Sequence, residues 1–281
     1  MVAISSYDTP PFRQTLDAIH RYLAQNGVAA AETHFLAGDS ARAGQAFARA
    51  GGAGEILFLT LGTPAVRAVL AHSVSSTMVS CMVLSADLLR DAPNATGVVM
   101  EFPLETQLAA MRRVLPKART VGVLYNPEEN KLKVEAAARM ARKFGLTLYA
   151  REVSAPRNLP DALERVLSQA DALWGLPDQT VLAPETARAI LLASFRARVP
   201  FIGLSDAWVK AGAIYALEWD YDDLGQQCAA TALRVLQGAR PKSLAPAAPR
   251  KFVYSINART ANHMNIEIPR ELLQGPNQIH Q

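Results

Sequence analysis

Hydrophobic and polar positions alternate between two periods along almost the whole chain. Short apolar runs rich in Val, Ile and Leu read as buried strands, and between them apolar residues recur every three or four positions, as in helices with one buried face. The clearest unit runs from Arg119 to Val153, ARTVGVLYNPEENKLKVEAAARMARKFGLTLYAREV. Thr120 to Tyr125 predicts a strand, the following stretch a helix to about Phe144, Gly145 its stop, and Leu146 to Val153 a second strand, which together make one βαβ unit. Asn126 is placed to cap the helix, Pro127 fits its first turn, and Glu128 and Glu129 face the positive end of its dipole. Val134, Ala137, Ala141 and Phe144 share a face and are expected to pack on the sheet.

The same rhythm precedes this unit. Val2 to Ser6 predicts a strand, Phe12 to Gln25 a helix closed by Asn26-Gly27, residues 30–36 a strand, Ser40 to Ala50 a helix, and Glu55 to Leu61 a third strand entered through Gly51, Gly52 and Gly54. Gly62-Thr63-Pro64-Ala65 opens a helix to about His72, and Met78 to Leu84 predicts a fourth strand. From Ser85 to Pro103 the rhythm breaks. That segment has a short β-rich piece, Gly97 to Met100, but no amphipathic helix, and predicts a connection leaving the first sheet. Leu104, Leu108, Met111 and Leu115 then share one face of a new helix.

Beyond the βαβ unit the pattern predicts a helix over 159–168, a strand at Ala172 to Gly175, a helix over 185–198, and strands at Phe201 to Leu204 and Ala213 to Leu217. A helix from Tyr221 to Gln237, with Leu224, Cys228, Ala232 and Val235 on one face, ends at Gly238. A Pro- and Ala-rich linker, Pro241 to Pro249, leads to a last strand at Phe252 to Ile256 and short closing helices. The second half repeats the plan of the first. The expected fold is α/β, two Rossmann-like lobes with parallel sheets, whose late elements return to the lobes as a multi-stranded hinge. The expected lobes are residues 1–100 with 218–240, and 101–217 with 250–281, with a ligand cleft between them.

Composition narrows the class. In 281 residues half are hydrophobic and 19% charged, and the formal charge of +4 is spread among interleaved acids and bases with no basic run. This is solvated surface, and no nucleic-acid partner is expected. Cys81 and Cys228 have no metal or redox spacing and read as small core residues. No apolar segment approaches the roughly 20 residues needed to span a bilayer. Met1 leads directly into a strand without a charged n-region or apolar h-region, which read literally keeps the chain in the cytoplasm.

Catalytic signatures are missing: no G-x-G-x-x-G after the first strand, no G-x-x-x-x-G-K-[ST], no G-x-S-x-G and no H-E-x-x-H. The five histidines show no i, i+4 pairing. No enzyme activity, cofactor or metal is expected. What remains are four turns at carboxyl ends of strands, where open parallel sheets bind ligands. They are Ser6-Tyr7-Asp8, Gly62-Thr63-Pro64, Tyr125 to Asn130, and Pro177-Asp178-Gln179-Thr180. Thr63 offers a hydroxyl beside free N–H groups of a helix start, which suits a carboxylate or phosphate; a plain helix start would read identically. Asp178 can pair with an ammonium group or simply cap the helix that follows. Aromatics gather nearby at Tyr7, Tyr125, Trp174, Tyr215, Trp219 and Tyr221; Trp174 lies inside a strand and is expected in the core, Trp219 in a crossover where solvent or cleft exposure is expected.

LGTPA at 61–65, VGVLYNPEEN at 121–130, ADALWGLPDQTV at 170–181, VPFIG at 199–203, GAIYALEWDYDDLGQQCA at 212–229, LQGARP at 236–241 and INARTANHMNIEIPRELL at 256–273 occur in this order. Through them the chain resembles the ABC-transporter substrate-binding proteins of the tryptophan/tyrosine-type family, with the periplasmic-binding-protein type I fold. The resemblance implies an extracytoplasmic solute-binding protein of an ABC importer, periplasmic or membrane-anchored, with its secretion signal removed from this sequence. It implies capture of a small carboxylate-bearing ligand, an amino acid or related solute, by hinge closure, delivery to a membrane permease, and a monomeric state. Thr63 would hold the ligand carboxylate, Asn126 and Asn130 would approach from the second lobe, and Asp178 would meet an amino group. The full candidate set is Tyr7, Thr63, Pro64, Ser85, Tyr125, Asn126, Asn130, Asp178 and Trp219. Lys131, where the family often has Ser, and the Trp-Gly-Leu-Pro before Asp178 leave the ligand's identity open. The alternatives are a ligand-sensing domain of a regulatory protein or an α/β enzyme of small metabolites.

Overall fold

Every position of the first strand, Val2–Ser5 (β1), is buried, as its apolar run requires. The helix after it, Pro10–Gln25 (α1), starts on two prolines and buries Leu16, Ile19 and Leu23 at helical spacing. The structure, a computed structural model, describes all residues except 31, 38–55, 74, 85 and 275–276, and only the backbone of Pro184. The helix expected over Ser40–Ala50, its Gly-rich turn and Ser85 therefore lie outside the described residues. In chain order there follow Glu32–Phe35 (β2), Leu57–Leu61 (β3), Thr63–His72 (α2), Thr77–Val83 (β4), Asp87–Asp91 (α3) and Ala95–Val99 (β5). Next come Leu104–Val114 (α4), Thr120–Tyr125 (β6), Pro127–Ala141 (α5), Thr147–Glu152 (β7), Leu159–Leu167 (α6), Ala172–Trp174 (β8), Pro184–Ala197 (α7) and Phe201–Ile202 (β9). The remaining elements are Asp206–Lys210 (α8), Tyr215–Trp219 (β10), Tyr221–Leu236 (α9), Phe252–Asn257 (β11), Ala258–Met264 (α10) and Gln278–His280 (β12).

These form two compact units, Met1–Phe102 with Trp219–Phe252, and Pro103–Glu218 with Val253–Gln281. In the first, the sheet order is β2-β1-β3-β4-β5 and the neighbours run parallel. One face is covered by α2 and α3, with Val66, Val69 and Leu89 in the core; α1 and α9 cover the other, with Leu16, Ile19, Leu224 and Ala232. The α1–α9 contact is close. A Cβ on Gly225 would lie 2.4 Å from the Thr15 carbonyl oxygen, so only glycine lets the two backbones approach this far.

One expectation for this unit is corrected. The segment after β4 is not a bare connection: Asp87–Asp91 forms α3 and Ala95–Val99 pairs with β4 as β5 before the chain passes to the second unit after Phe102. A five-residue helix is too short to show a period, and Gly97 breaks the apolar run that would mark the strand. Cys81 and Cys228 are both buried free thiols, as expected of core residues, but the fold brings them together across β4 and α9. Burial, reinforced by the Cys228 side chain, pushes the Cys81 thiol well above its usual range.

In the second unit the order is β12-β11-β10-β9-β8-β6-β7. The strands from β7 through β10 run parallel. At β11 the direction reverses, since Asn257 donates to Ile214 at one end of β10 and Asp220 to Lys251 at the other. Strand β12 pairs parallel with β11 and has no counterpart in the sequence reading, which ends on helices. Its three residues carry too little pattern to register. The five-residue α8 was hidden in the same way. Elsewhere the predicted elements stand within about two residues at most ends, as expected for frayed termini.

Candidate functional site

In each unit the strand order puts one crevice at the carboxyl ends of the strands. After β1 the chain moves outward to β2 and then returns to place β3 on the other side of β1, so the loops after β1 and β3 diverge. The second unit does the same with β6, β7 and β8, so the loops after β6 and β8 diverge there.

At the first crevice the Ser6 N–H donates to the Leu61 carbonyl at 2.9 Å, and the Ser6 hydroxyl accepts the Ala65 N–H at 2.9 Å, capping the start of α2 from a neighbouring loop. Gly62 sits between them at φ +91°, and a Cβ there would fall 2.6 Å from the Ser6 oxygen. Thr63 follows, half-buried, its hydroxyl accepting, among the described residues, only a long 3.4 Å bond from the Leu84 N–H. Pro64 is exposed. Around Thr63 stand two exposed apolar side chains, Tyr7 (45%) and Leu84 (72%), with Tyr7 set edge-on to Phe12 at 5.4 Å.

At the second crevice the polar residues form a closed network. Asp178, 7% exposed, takes four hydrogen bonds: on Oδ2 from the Asn126 N–H at 2.7 Å and Asn130 Nδ2 at 2.9 Å, and on Oδ1 from the Thr180 and Val181 N–H groups at 3.0 and 2.8 Å. Asn126 accepts the Glu128 N–H at 3.0 Å, the expected cap of α5, and donates through Nδ2 to Thr180 Oγ1 at 2.8 Å. Asn130 also donates to the Pro177 carbonyl at 3.0 Å, and Glu129 accepts the Gln179 N–H at 3.0 Å. Asn126 and Asn130 are as buried as Asp178. One turn of α5 thus clamps the loop after β8, and the carboxylate at the centre turns the backbone at 178–181 in the manner of an Asx turn. Of the two roles open to Asp178, this is the local one: it caps the turn ahead of α7, not α7 itself.

Other expected residues are placed as follows. Tyr125 ends β6 nearly buried and donates its hydroxyl to Glu152 on β7 at 3.1 Å; burial and the Glu152 carboxylate raise its phenol pKa. Trp174 is in the core at 3% exposure, as its strand position predicts. Trp219 is half-buried and stacks on Phe102, centroids 3.4 Å apart, with Phe252 edge-on to Phe102 at 5.9 Å. These three aromatics mark the three points where the chain passes from one unit to the other.

The sequence reading left out Ser6, Leu84 and Glu129 as contributors. Glu129 lies one turn on from Asn126, at i, i+3, a signal present in the spacing. Ser6 and Leu84 act through cross-strand proximity, which spacing does not carry. A second polar cluster also went unseen. Asp206 receives Lys210 at 2.6 Å, the Ser255 hydroxyl at 2.7 Å and His280 at 2.5 Å, while its own N–H donates to Glu218. Burial pushes the Asp206 carboxyl up, but the bonds from Lys210, Ser255 and His280 outweigh it and hold it below its usual range. Burial dominates at Glu218 and raises it. Among the described residues no group of three His, Cys, Asp or Glu side chains is arranged to hold a metal, and no helix is long and apolar enough to cross a membrane.

A family profile described as ABC transporter substrate binding protein matches residues 13–280. A tyrosine-binding protein of Clostridioides difficile (strain R20291) is 22% identical over 157 residues; the alignment covers 55% of this chain and 45% of that relative, so it spans less than half the relative's length. Among solved structures, an ABC domain from Streptococcus pneumoniae in complex with L-Trp superposes with a TM-score of 0.62 at 21% identity, covering 99% of each chain. The ligand-free, open form of a substrate-binding protein with adhesive properties from Clostridium difficile gives a TM-score of 0.78 at 17% identity over 99% of this chain and 97% of the other. At such identities the structural likeness establishes the α/β fold of the type I periplasmic-binding proteins. A profile match over nearly the whole chain, on that shared fold, makes this protein a member of the ABC transporter substrate-binding protein family.

Proposed function

We propose that the chain captures a small carboxylate-bearing solute, an amino acid with an apolar or aromatic side chain, between its two units, as the extracytoplasmic binding component of an ABC importer. The observation that carries this reading is the first crevice: a weakly engaged Thr63 hydroxyl at a helix start, flanked by the exposed Tyr7 and Leu84. The hydroxyl and the adjoining amides suit a carboxylate, and the two apolar side chains suit the rest of the ligand. The relatives that bind L-Trp and tyrosine support the same class.

In this reading the second unit contributes a pre-formed edge. Asp178 fixes the loop after β8, and Asn126, Asn130 and Thr180 present it. The protein's three chain crossings serve as the hinge. A ligand touching both units gains its full set of contacts only when they close, so binding shifts the equilibrium toward the closed form. The loaded protein then docks on a membrane permease, working as a monomer and performing no chemistry on the solute.

The test is a thermal-shift and calorimetric screen against the amino acids, organic acids and sugars, with product analysis of the bound solute. A ligand that binds only the folded protein raises its melting temperature by mass action. A shift confined to aromatic or apolar amino acids, with the solute recovered intact, is the expected result. Turnover of the solute, or shifts with sugars alone, would overturn the reading.

A further inference from the structure

The second unit carries two adjoining depressions at the opposite end of its sheet from Asn126 and Asp178. They lie where α8 runs through Ala211 and Gly212 into the start of β10, and where β11 ends beside that start and continues into α10. One, of about 670 Å³, is lined chiefly by Leu191, Leu192, Phe195 and Trp208 from α7 and α8. The other, of about 600 Å³, is lined by Lys210, Arg259, His263 and His280 among others. Phe195, Ala211 and Gly212 belong to both, and His263 stacks on Phe195 with centroids 4.4 Å apart, so the two are continuous. Each volume is within the range of small-molecule sites, roughly 300–1,000 Å³.

The chemistry along this trough is graded. Its more apolar end carries Leu192, 46% exposed, with Arg188 as its one charged lining residue. Its polar end carries the cations Lys210 and Arg259 with His263, His280 and Gln281, the last residue of the sequence, and no Asp or Glu side chain lines either depression. Asp206 pairs with Lys210 and hydrogen-bonds His280, which offsets part of the Lys210 charge. Arg259, which is exposed, makes no ion pair among the described residues, so its guanidinium is available to an anion.

We infer that this trough is a second binding site, for a long-chain carboxylate: the chain along Leu191, Leu192, Phe195 and Trp208, the carboxylate on Arg259 and Lys210. A purely apolar occupant leaves the cationic end unsatisfied, and a small inorganic anion leaves the apolar end wet. An amphiphile with one anionic head satisfies both. Each methylene it buries adds roughly fourfold in affinity, and the guanidinium offers a charge-assisted, bidentate pair to the head. The site is independent of the solute crevice proposed above.

The experiment titrates the full chain with monomeric dodecanoate, below micelle formation, by calorimetry and by tryptophan emission, to which Trp208 contributes. Octanoate, dodecanol and acetate serve as comparison ligands. Expected are saturable binding of dodecanoate, at least tenfold weaker binding of octanoate and of dodecanol, and none of acetate. Arg259→Gln weakens dodecanoate at least fivefold and Leu192→Asp at least tenfold; both positions are exposed, so both variants melt with the wild type. No saturable binding, dodecanol bound as tightly as dodecanoate, or wild-type affinity in both variants overturns the assignment. So does association with micelles or anionic vesicles in the absence of monomer binding.

Discussion

Replacing Asp178 by asparagine keeps its shape and removes one charge and one acceptor from a site where four donors converge. The new amide must turn its NH₂ either toward the Asn126 N–H and Asn130 Nδ2 or toward the Thr180 and Val181 N–H groups. In both orientations two hydrogen bonds are lost and donors face donors. A hydrogen bond to a charged group contributes about 1.5–3 kcal/mol. Two of them, discounted because the loop can relax and admit water, give an expected loss of about 3 kcal/mol. In a unit of this size each kcal/mol moves the midpoint by roughly 2–4 °C, so the ligand-free Asp178→Asn protein should melt about 6–12 °C below wild type. Because two units can melt separately, hydrogen exchange at the Thr180 and Val181 amides provides the local readout, and both should lose protection. Asn130→Ala removes one of the same contacts together with the bond to the Pro177 carbonyl, so the double variant should cost less than the sum of the singles. A ligand-free melting point within 2 °C of wild type, with both amides still protected, would refute the network's structural role.

Thr63→Ala should weaken solute binding by about 1–3 kcal/mol and leave the ligand-free melting point unchanged, since among the described residues its hydroxyl makes only the 3.4 Å contact with Leu84; calorimetry and a melt in parallel separate the two effects. Gly225→Ala forces α1 and α9 apart at the Thr15 carbonyl and should destabilise the first unit by about 1–3 kcal/mol, read as a lowered denaturant midpoint. Burial raises the Glu218 carboxyl above its ordinary value, so the fold binds that proton more tightly than the unfolded chain and loses stability as pH rises through the folded value. Glu218→Gln keeps an acceptor for the Asp206 N–H, and should therefore melt at or above wild type at pH 7, with the gain vanishing near pH 4; a variant less stable at pH 7 than at pH 4, relative to wild type, counts against this. Burial lowers the His20 imidazole below 6.5 and leaves its Nε2 without a partner among the described residues. The fold thus holds it neutral and loses stability as pH falls below that value, and His20→Leu should flatten the melting-point profile between pH 7.5 and 5.

The residues that determined most of the fold are those whose signal is local. The 3.6-residue spacing of Leu16, Ile19 and Leu23, the caps at Asn126 and Gly145, and the wholly apolar strands β1 and β3 each specify an element from within one short window. Repetition of that local code, β then α then β, was enough to define two parallel-sheet halves. Elements too short to complete a period were not legible: α3, α8, β5 with its Gly97, and β12 exist because neighbours complete them. The candidate site divides along the same line. The turns at Gly62-Thr63 and Asn126 were marked by their residue types, because Gly, Pro and Asn act on their own backbone. That Ser6 caps α2, that Asp178 ties the β8 loop to Asn126 and Asn130, that Cys81 meets Cys228, and that Asp206 gathers Ser255 and His280 were decided by strand order alone. Each joins segments far apart in the chain, and the period of a sequence holds no information about which strands become neighbours.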